Sequence, residues 1–261
     1  VAVSSATVLD PLASGADVWW LRESDVDAFG AAVGLETVLA EEELARCDRL
    51  KQAGARRRYL GARLISRCAL SRYVDVPPAH WEFRKGEFGR PEILGESDGL
   101  DFNITHTDGM IAVVVARGRM CGLDVEHRPI RPEAARLAPK VLAPPELAFV
   151  RMLPGELRRC LFADMWVAKE AYTKALGMGL CRPFDSFGTR RKDDGTLELV
   201  DPTLPEDERT RWQMEVFRIA DGIAAGVAIQ RKVGESGRIP LWLHDAMAEL
   251  LPDPVDPFDA L

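Results

Sequence analysis

The chain lacks the residues and runs that mark a metal ribbon, a disulfide scaffold or a membrane helix. Its five cysteines, Cys47, Cys68, Cys121, Cys160 and Cys181, are odd in number, scattered and never in C-x-x-C spacing. That pattern excludes structural zinc and a disulfide framework and leaves reduced, mostly buried thiols as the reading. There is no run of about 18 apolar residues and no basic segment leading into an apolar stretch near the start, so neither a membrane span nor a secretory leader is expected. The expected location is the cytoplasm, with no membrane partner. Positive charge is in deficit: 34 Lys and Arg stand against 41 Asp and Glu, a net charge of −7. A chain of that sign does not coat nucleic acid, and no nucleic-acid partner is expected.

What is present is enough apolar material for a core, 47% of 261 residues, in a length that allows one large domain or two of ordinary size. The charge is unevenly spread. Between Arg46 and Arg72 nine basic residues face Asp48 alone, a local charge of +8, so an acidic protein carries one basic face.

Asp17–Leu21 reads as a first strand, and residues 36–52 and 55–74 as helices, the second with Tyr59, Leu60, Leu64, Ile65 and Cys68 at helical spacing. Short strand-like pieces fill residues 81–105. Met110–Val115 and Met120–Val125 flank Arg117-Gly118-Arg119, a pattern that predicts a hairpin. Helices come next at 132–141, 145–152 and 155–176, then hairpins turning at Asp194-Gly195 and Asp221-Gly222, because Asp-Gly accepts the positive φ such turns need. A short helix is expected at 241–250. The division is an N-terminal extension (1–16), two α+β halves (17–117 and 118–232) and a C-terminal tail (233–261). The halves share a loose layout but no strict sequence repeat.

Two acidic pieces carry the chemistry. On a strand, Asp124 and Glu126 of Gly122-Leu123-Asp124-Val125-Glu126 project to one side, about 6.6 Å apart along the chain, while Leu123 and Val125 face a core. On a helix, Trp166, Lys169, Glu170 and Lys174 share one face. If the Trp166 face packs across the strand, Glu170 completes a set of three carboxylates. Acids without His or Cys select a hard cation, Mg²⁺ above all, and Lys174 is then free to neutralise a phosphate oxygen. Each piece alone also reads as an ordinary strand edge or surface pair. The third element is Phe102-Asn103-Ile104-Thr105-His106-Thr107, a short strand that can hand polar groups to a cleft.

These three segments, in this order, resemble the Sfp-type 4′-phosphopantetheinyl transferases. Gly89-Arg90-Pro91 matches an earlier element of that family, and Lys174-Ala-Leu-Gly177-Met-Gly179-Leu180 with Pro183-x-Asp185-x-Phe187 matches the family's segment after the helix. The resemblance covers roughly residues 17–230. It implies an α+β fold of two similar halves related by a pseudo-twofold axis, with coenzyme A bound between them. It also implies transfer of phosphopantetheine from coenzyme A to a serine of an apo acyl or peptidyl carrier protein, releasing 3′,5′-ADP, in service of polyketide or nonribosomal peptide synthases. By position, Asp124, Glu126 and Glu170 would bind Mg²⁺, Lys174 would stabilise the phosphate under attack, and His106 beside Thr105 would contact coenzyme A phosphates. Arg46, Arg57 and Arg90, with Arg58 after them, match the phosphate-contacting basic positions. Thr105 stands where serine is common, Arg90 where lysine is usual, and Glu43 where relatives often carry a basic residue. Glu170, a water it orients, or Glu146 is the candidate base. With both halves in one chain, a monomer is expected.

Ile130, Leu137, Val141 and Leu142 read as a carrier-docking surface or as core. Two other classes remain open on the residues alone: a non-catalytic nucleotide or nucleic-acid module using the arginine-rich helices, and a Mg²⁺-dependent phosphohydrolase using the same acids.

Overall fold

The computed structural model describes Leu12, residues 14–178 and residues 182–251. Most of the N-terminal extension, the family match at Gly179 and Leu180, Cys181 and the last ten residues lie outside the described residues.

Met110–Arg117 (β5) shows how the molecule is layered. Its apolar run is buried on both faces, as suits a central strand. Ile111, Val113 and Val115 pack with the helix Ala53–Leu70 (α1), among Trp19, Leu64, Ile65 and Phe102. Met110, Ala112, Val114 and Ala116 turn the other way, into a core shared with Leu123, Val125, Ala225 and Val227 of the second half. Each fully buried Val or Leu contributes about 1.5–3 kcal/mol, so both faces of β5 hold the fold.

In the first half Ala16–Arg22 (β1) pairs antiparallel with β5, and β5 pairs antiparallel with Leu100–Thr107 (β4). Phe83–Lys85 (β2) and Pro91–Ile93 (β3) make a separate hairpin. The second half repeats the plan. Cys121–His127 (β6) pairs with Ile223–Gln230 (β10), β10 with Trp212–Ala220 (β9), and Gly188–Arg191 (β7) with Leu197–Val200 (β8) form the hairpin. The long helix Gly155–Ala175 (α2) covers β6 and β10 as α1 covers β1, β5 and β4. The spatial orders β1-β5-β4 and β6-β10-β9 match. The chain is thus α+β, built from two similar halves.

Three local expectations are corrected. Arg117-Gly118-Arg119 is not a hairpin turn: β5 and β6 lie in different sheets, and the segment carries the chain between them. The turn that closes the β4–β5 hairpin is Asp108-Gly109, with Gly109 at φ 88°. The expected helix at 241–250 is a strand, Leu241–Asp245 (β11), and a short helix, Ala246–Glu249 (α3). β11 adds in parallel to β1, so this part of the tail completes the first sheet. Among the described residues, no helix is long and apolar enough to cross a membrane.

Glycine sets how closely α2 approaches its sheet. A Cβ on Gly122 would lie 2.1 Å from the Ala171 carbonyl oxygen, and one on Gly226 would lie 2.3 Å from that of Val167. The helix therefore rests on the strands through its Val167, Ala168, Ala171 and Ala175 side, all buried. Trp166 packs edge-on against Phe162 in the second-half core, and Lys174 reaches Asp124 of the edge strand β6.

Candidate active site

Strand β4 runs beside β6 where the two halves meet, and its side chains serve the edge of β6. Asp101 accepts from the Cys121 N–H at 2.9 Å and Asn103 from the Leu123 N–H at 3.1 Å. Edge amides that would otherwise be unpaired are thus satisfied without a shared ladder. Further along, Thr105 donates to Asp124 Oδ1 at 3.0 Å, and Thr107 Oγ1 lies 3.5 Å from Glu126 Oε2. Lys174 reaches in from α2, with Nζ 2.6 Å from Asp124 Oδ1 and 3.1 Å from Thr105 Oγ1.

This seam is acidic and short of compensation. Asp124 is 6% exposed, and its Oδ2 is buried without a hydrogen-bond partner. Burial raises the Glu170 pKa to about 7, helped by the charge of Asp124 and, less, of Glu126, with Lys174 opposing. Burial and then Asp124 raise that of Glu126 too. Like charges held in a partly dry site repel strongly unless a cation relieves them. Among the described residues, no three His, Cys, Asp or Glu form a ready-made metal cluster, and Asp124 is neutralised by Lys174. The donor set is all oxygen, with one lone buried carboxylate oxygen and two carboxyls of raised pKa. Those features fit a hard cation.

Beside the seam is a cavity of about 230 Å³ lined by Arg58, His106, Glu126, His127 and Arg131, among others. His106 and Thr105 point to opposite faces of β4, as strand alternation requires, so His106 turns to the α1 side and meets Arg58 there. The ring reaches solvent, yet burial of its inner side, then Arg58 and Lys174, lower its pKa and favour the neutral imidazole.

The arginines separate. Arg58 lines the cavity, bonded to Glu23 and to Asp108. Arg46 is exposed, with its guanidinium over the Tyr59 ring at 5.3 Å, and Arg57 is exposed, 3.6 Å from Asp27; neither lines the cavity. Arg90 is a correction: it donates to Asp101 at 2.7 Å and to the carbonyls of Phe102, Cys121 and Ala175, clamping the halves together instead of presenting a free fork. Glu43, the departure from the family pattern, accepts from Arg67 and the Ala40 N–H inside the first half.

Glu146 is a second correction. One oxygen accepts from the Thr189 N–H and hydroxyl; the other caps the Ala143 N–H and lies 2.6 Å from Lys169 Nζ. Lys169, fully buried, also donates to the carbonyls of Val141, Phe184 and Phe187. A carboxylate so engaged has no lone pair free for a substrate proton. Sequence reasoning missed His127 and Arg131 as cavity residues; strand alternation sets His127 on the face opposite Asp124 and Glu126, yet at the end of β6 it lines the same cavity as Glu126. A hollow of about 1110 Å³ is lined by Phe149, Leu161, Met165, Phe187 and Val216 among others and includes none of Asp124, Glu126, Glu170 and Lys174.

The seam matches known proteins in one stretch above all. A family model described as the 4′-phosphopantetheinyl transferase superfamily matches residues 120–228, which hold β6, α2, β9 and most of β10. Over this stretch the chain is similar to the 4′-phosphopantetheinyl transferase superfamily. It is 34% identical over 151 residues to the 4′-phosphopantetheinyl transferase HetI of Nostoc sp., covering 57% of this chain and 63% of that protein. It is 32% identical over 148 residues to the putative 4′-phosphopantetheinyl transferase slr0495 of Synechocystis sp., covering 56% and 60%. With a 4′-phosphopantetheinyl transferase of Bacillus subtilis it shares 29% identity over 202 residues, covering 77% and 86%. The first two matches span less than two thirds of those relatives' length. The matched stretch contains Asp124, Glu126, Glu170 and Lys174, whereas Arg58, Thr105 and His106 come to the seam from the other half.

Proposed function

We propose that the protein transfers the 4′-phosphopantetheine group of coenzyme A to the serine hydroxyl of an apo acyl or peptidyl carrier protein, releasing 3′,5′-ADP, with the synthases of polyketides or nonribosomal peptides as the carriers' owners. The observation that carries this reading is the seam itself: Asp124, bonded to both Lys174 and Thr105, with Glu126 and Glu170 beside it, inside the matched stretch. Asp124, Glu126 and Glu170 would hold Mg²⁺, which when bound supplies charge neutralisation for the pyrophosphate. Lys174 acts as a point charge for the phosphate under attack, and Arg58 and neutral His106 take the phosphates on the first-half side. Transfer of this kind asks for positioning and electrostatics more than covalent help. Of the two candidate bases, the raised pKa of Glu170 and the full engagement of Glu146 favour Glu170 as the group that receives the serine proton.

The carrier meets the second half. Ile130, Val141 and Leu142 are core, while Leu137, Phe149, Met152 and Leu157 expose apolar surface, and these support docking. The protein works in the cytoplasm as a monomer of two halves, divided near Gly118. Incubation with coenzyme A, Mg²⁺ and a panel of apo carriers should raise the mass of at least one carrier by one phosphopantetheine. No change on any carrier sinks the proposal, and release of phosphate from coenzyme A alone would favour a phosphohydrolase instead.

A further inference from the structure

The tip of the β4–β5 hairpin closes a bridge that the chemistry above does not use. Asp108 accepts from Arg58 at 2.8 Å through Oδ1 and from Arg131 at 2.5 Å through Oδ2. Arg58 comes from α1 in the first half, and Arg131 comes after β6 in the second, so one carboxylate links the halves across the mouth of the 230 Å³ cavity. Asp108 and Arg131 are exposed, whereas Arg58 is largely buried and keeps a second acid, Glu23, at 3.0 Å. Glu23 also accepts from the Gly109 N–H, which fixes the hairpin tip independently of Asp108. His127 also lines the cavity, and its Nε2 is buried with no hydrogen-bond partner.

Two guanidinium forks suit a phosphate better than a carboxylate. A phosphate monoester carries nearly two charges and three acceptor oxygens, and arginine binds it bidentately. We propose that Asp108 is an internal competitor for this cavity, holding Arg58 and Arg131 until a phosphate group of the ligand displaces it. This rests on the coenzyme A reading. Asp108 then lowers affinity in general and selects for ligands whose phosphate charge outweighs its own single charge. The phosphate is either the 3′-phosphate of coenzyme A or its pyrophosphate.

The test is Asp108→Asn, which removes the charge but keeps a residue that turns accept, so the hairpin stays intact. Calorimetric titration with coenzyme A should show the variant binding roughly three- to tenfold more tightly, the scale of losing two exposed charge pairs. The gap should narrow with added salt. Dephospho-coenzyme A separates the sources: a gain confined to coenzyme A assigns the 3′-phosphate, and an equal gain with both ligands assigns the pyrophosphate. Asp108→Glu keeps the charge and should bind as the wild type does. Unchanged affinity in Asp108→Asn overturns the proposal, and weaker affinity overturns it by making Asp108 a support for the two arginines. If neither wild type nor variant binds coenzyme A, the functional reading fails and takes this one with it.

Discussion

Each half buries an aspartate on its first strand, on the face its long helix covers, and each leaves one carboxylate oxygen without a hydrogen-bond partner, but the surroundings of the two differ. Asp17 on β1 is fully buried: Tyr73 donates to Oδ2 at 2.5 Å, Trp19 donates to the Tyr73 hydroxyl, and Oδ1, without a hydrogen-bond partner, has His244 of β11 3.4 Å away. Asp124 on β6 has Lys174 and Thr105 on one oxygen and nothing on the other. Aromatic rings and an added strand seal the first. Glycines bring the second helix close, so its acids stand at the open seam. One plan has become a structural keystone in one half and an open acidic edge in the other.

The sharpest way to test that difference is to remove Asp124. Asp124→Ala should cut carrier modification by at least about 10²-fold at saturating coenzyme A and Mg²⁺, the scale of losing one preorganised electrostatic contact, with the circular dichroism spectrum unchanged. An active Asp124→Ala would erase the contrast. The next effect concerns stability alone: Lys169→Met leaves Glu146 buried without its cation and should cost about 3–5 kcal/mol in denaturant unfolding. A cost below about 1 kcal/mol, the range of an exposed pair, would return Glu146 to the list of free groups.

Gly122→Ala tests the glycine spacing. The added methyl meets the Ala171 carbonyl, so the helix must shift, and overpacking of this kind costs about 1–3 kcal/mol, or some 2–4 °C of Tm for each kcal/mol. A melting temperature equal to wild type would show that α2 does not need the close approach. The smallest effect belongs to the sealed half. Burial opposes protonation of His244, but Asp17 and Glu249 outweigh it and raise its pKa. Its contribution is therefore complete below the unfolded value near 6.5 and is lost as pH rises through the higher folded value. Melting curves across that range should show a fall in Tm for wild type that His244→Phe lacks; parallel curves would mean the imidazole does not help to hold β11.

Much of this was legible in the chain. Alternation placed Asp124 and Glu126 on one side and Leu123 and Val125 in the core, and Asp194-Gly195 and Asp221-Gly222 both turn hairpins. Other parts were not legible, for physical reasons. Apolar strands on either side of a Gly look like a hairpin whether they pair with each other or with partners in separate sheets, so Arg117-Gly118-Arg119 misled. Arg90 and Glu146 carry charges suited to a ligand, and only their partners, Asp101 and Lys169, show them committed to the protein.

By itself the sequence determined most element types, the apolar faces and the set of charged groups able to meet a phosphate and a cation, because these arise from side-chain period and chemistry. Only the tertiary structure decided which of those groups stand free. That depends on contacts between residues far apart in the chain: Arg58 is drawn to the cavity with Arg131, Arg90 into the seam, and Glu146 under Lys169. A buried charge takes the nearest partner the fold offers, and no local spacing records which one that is.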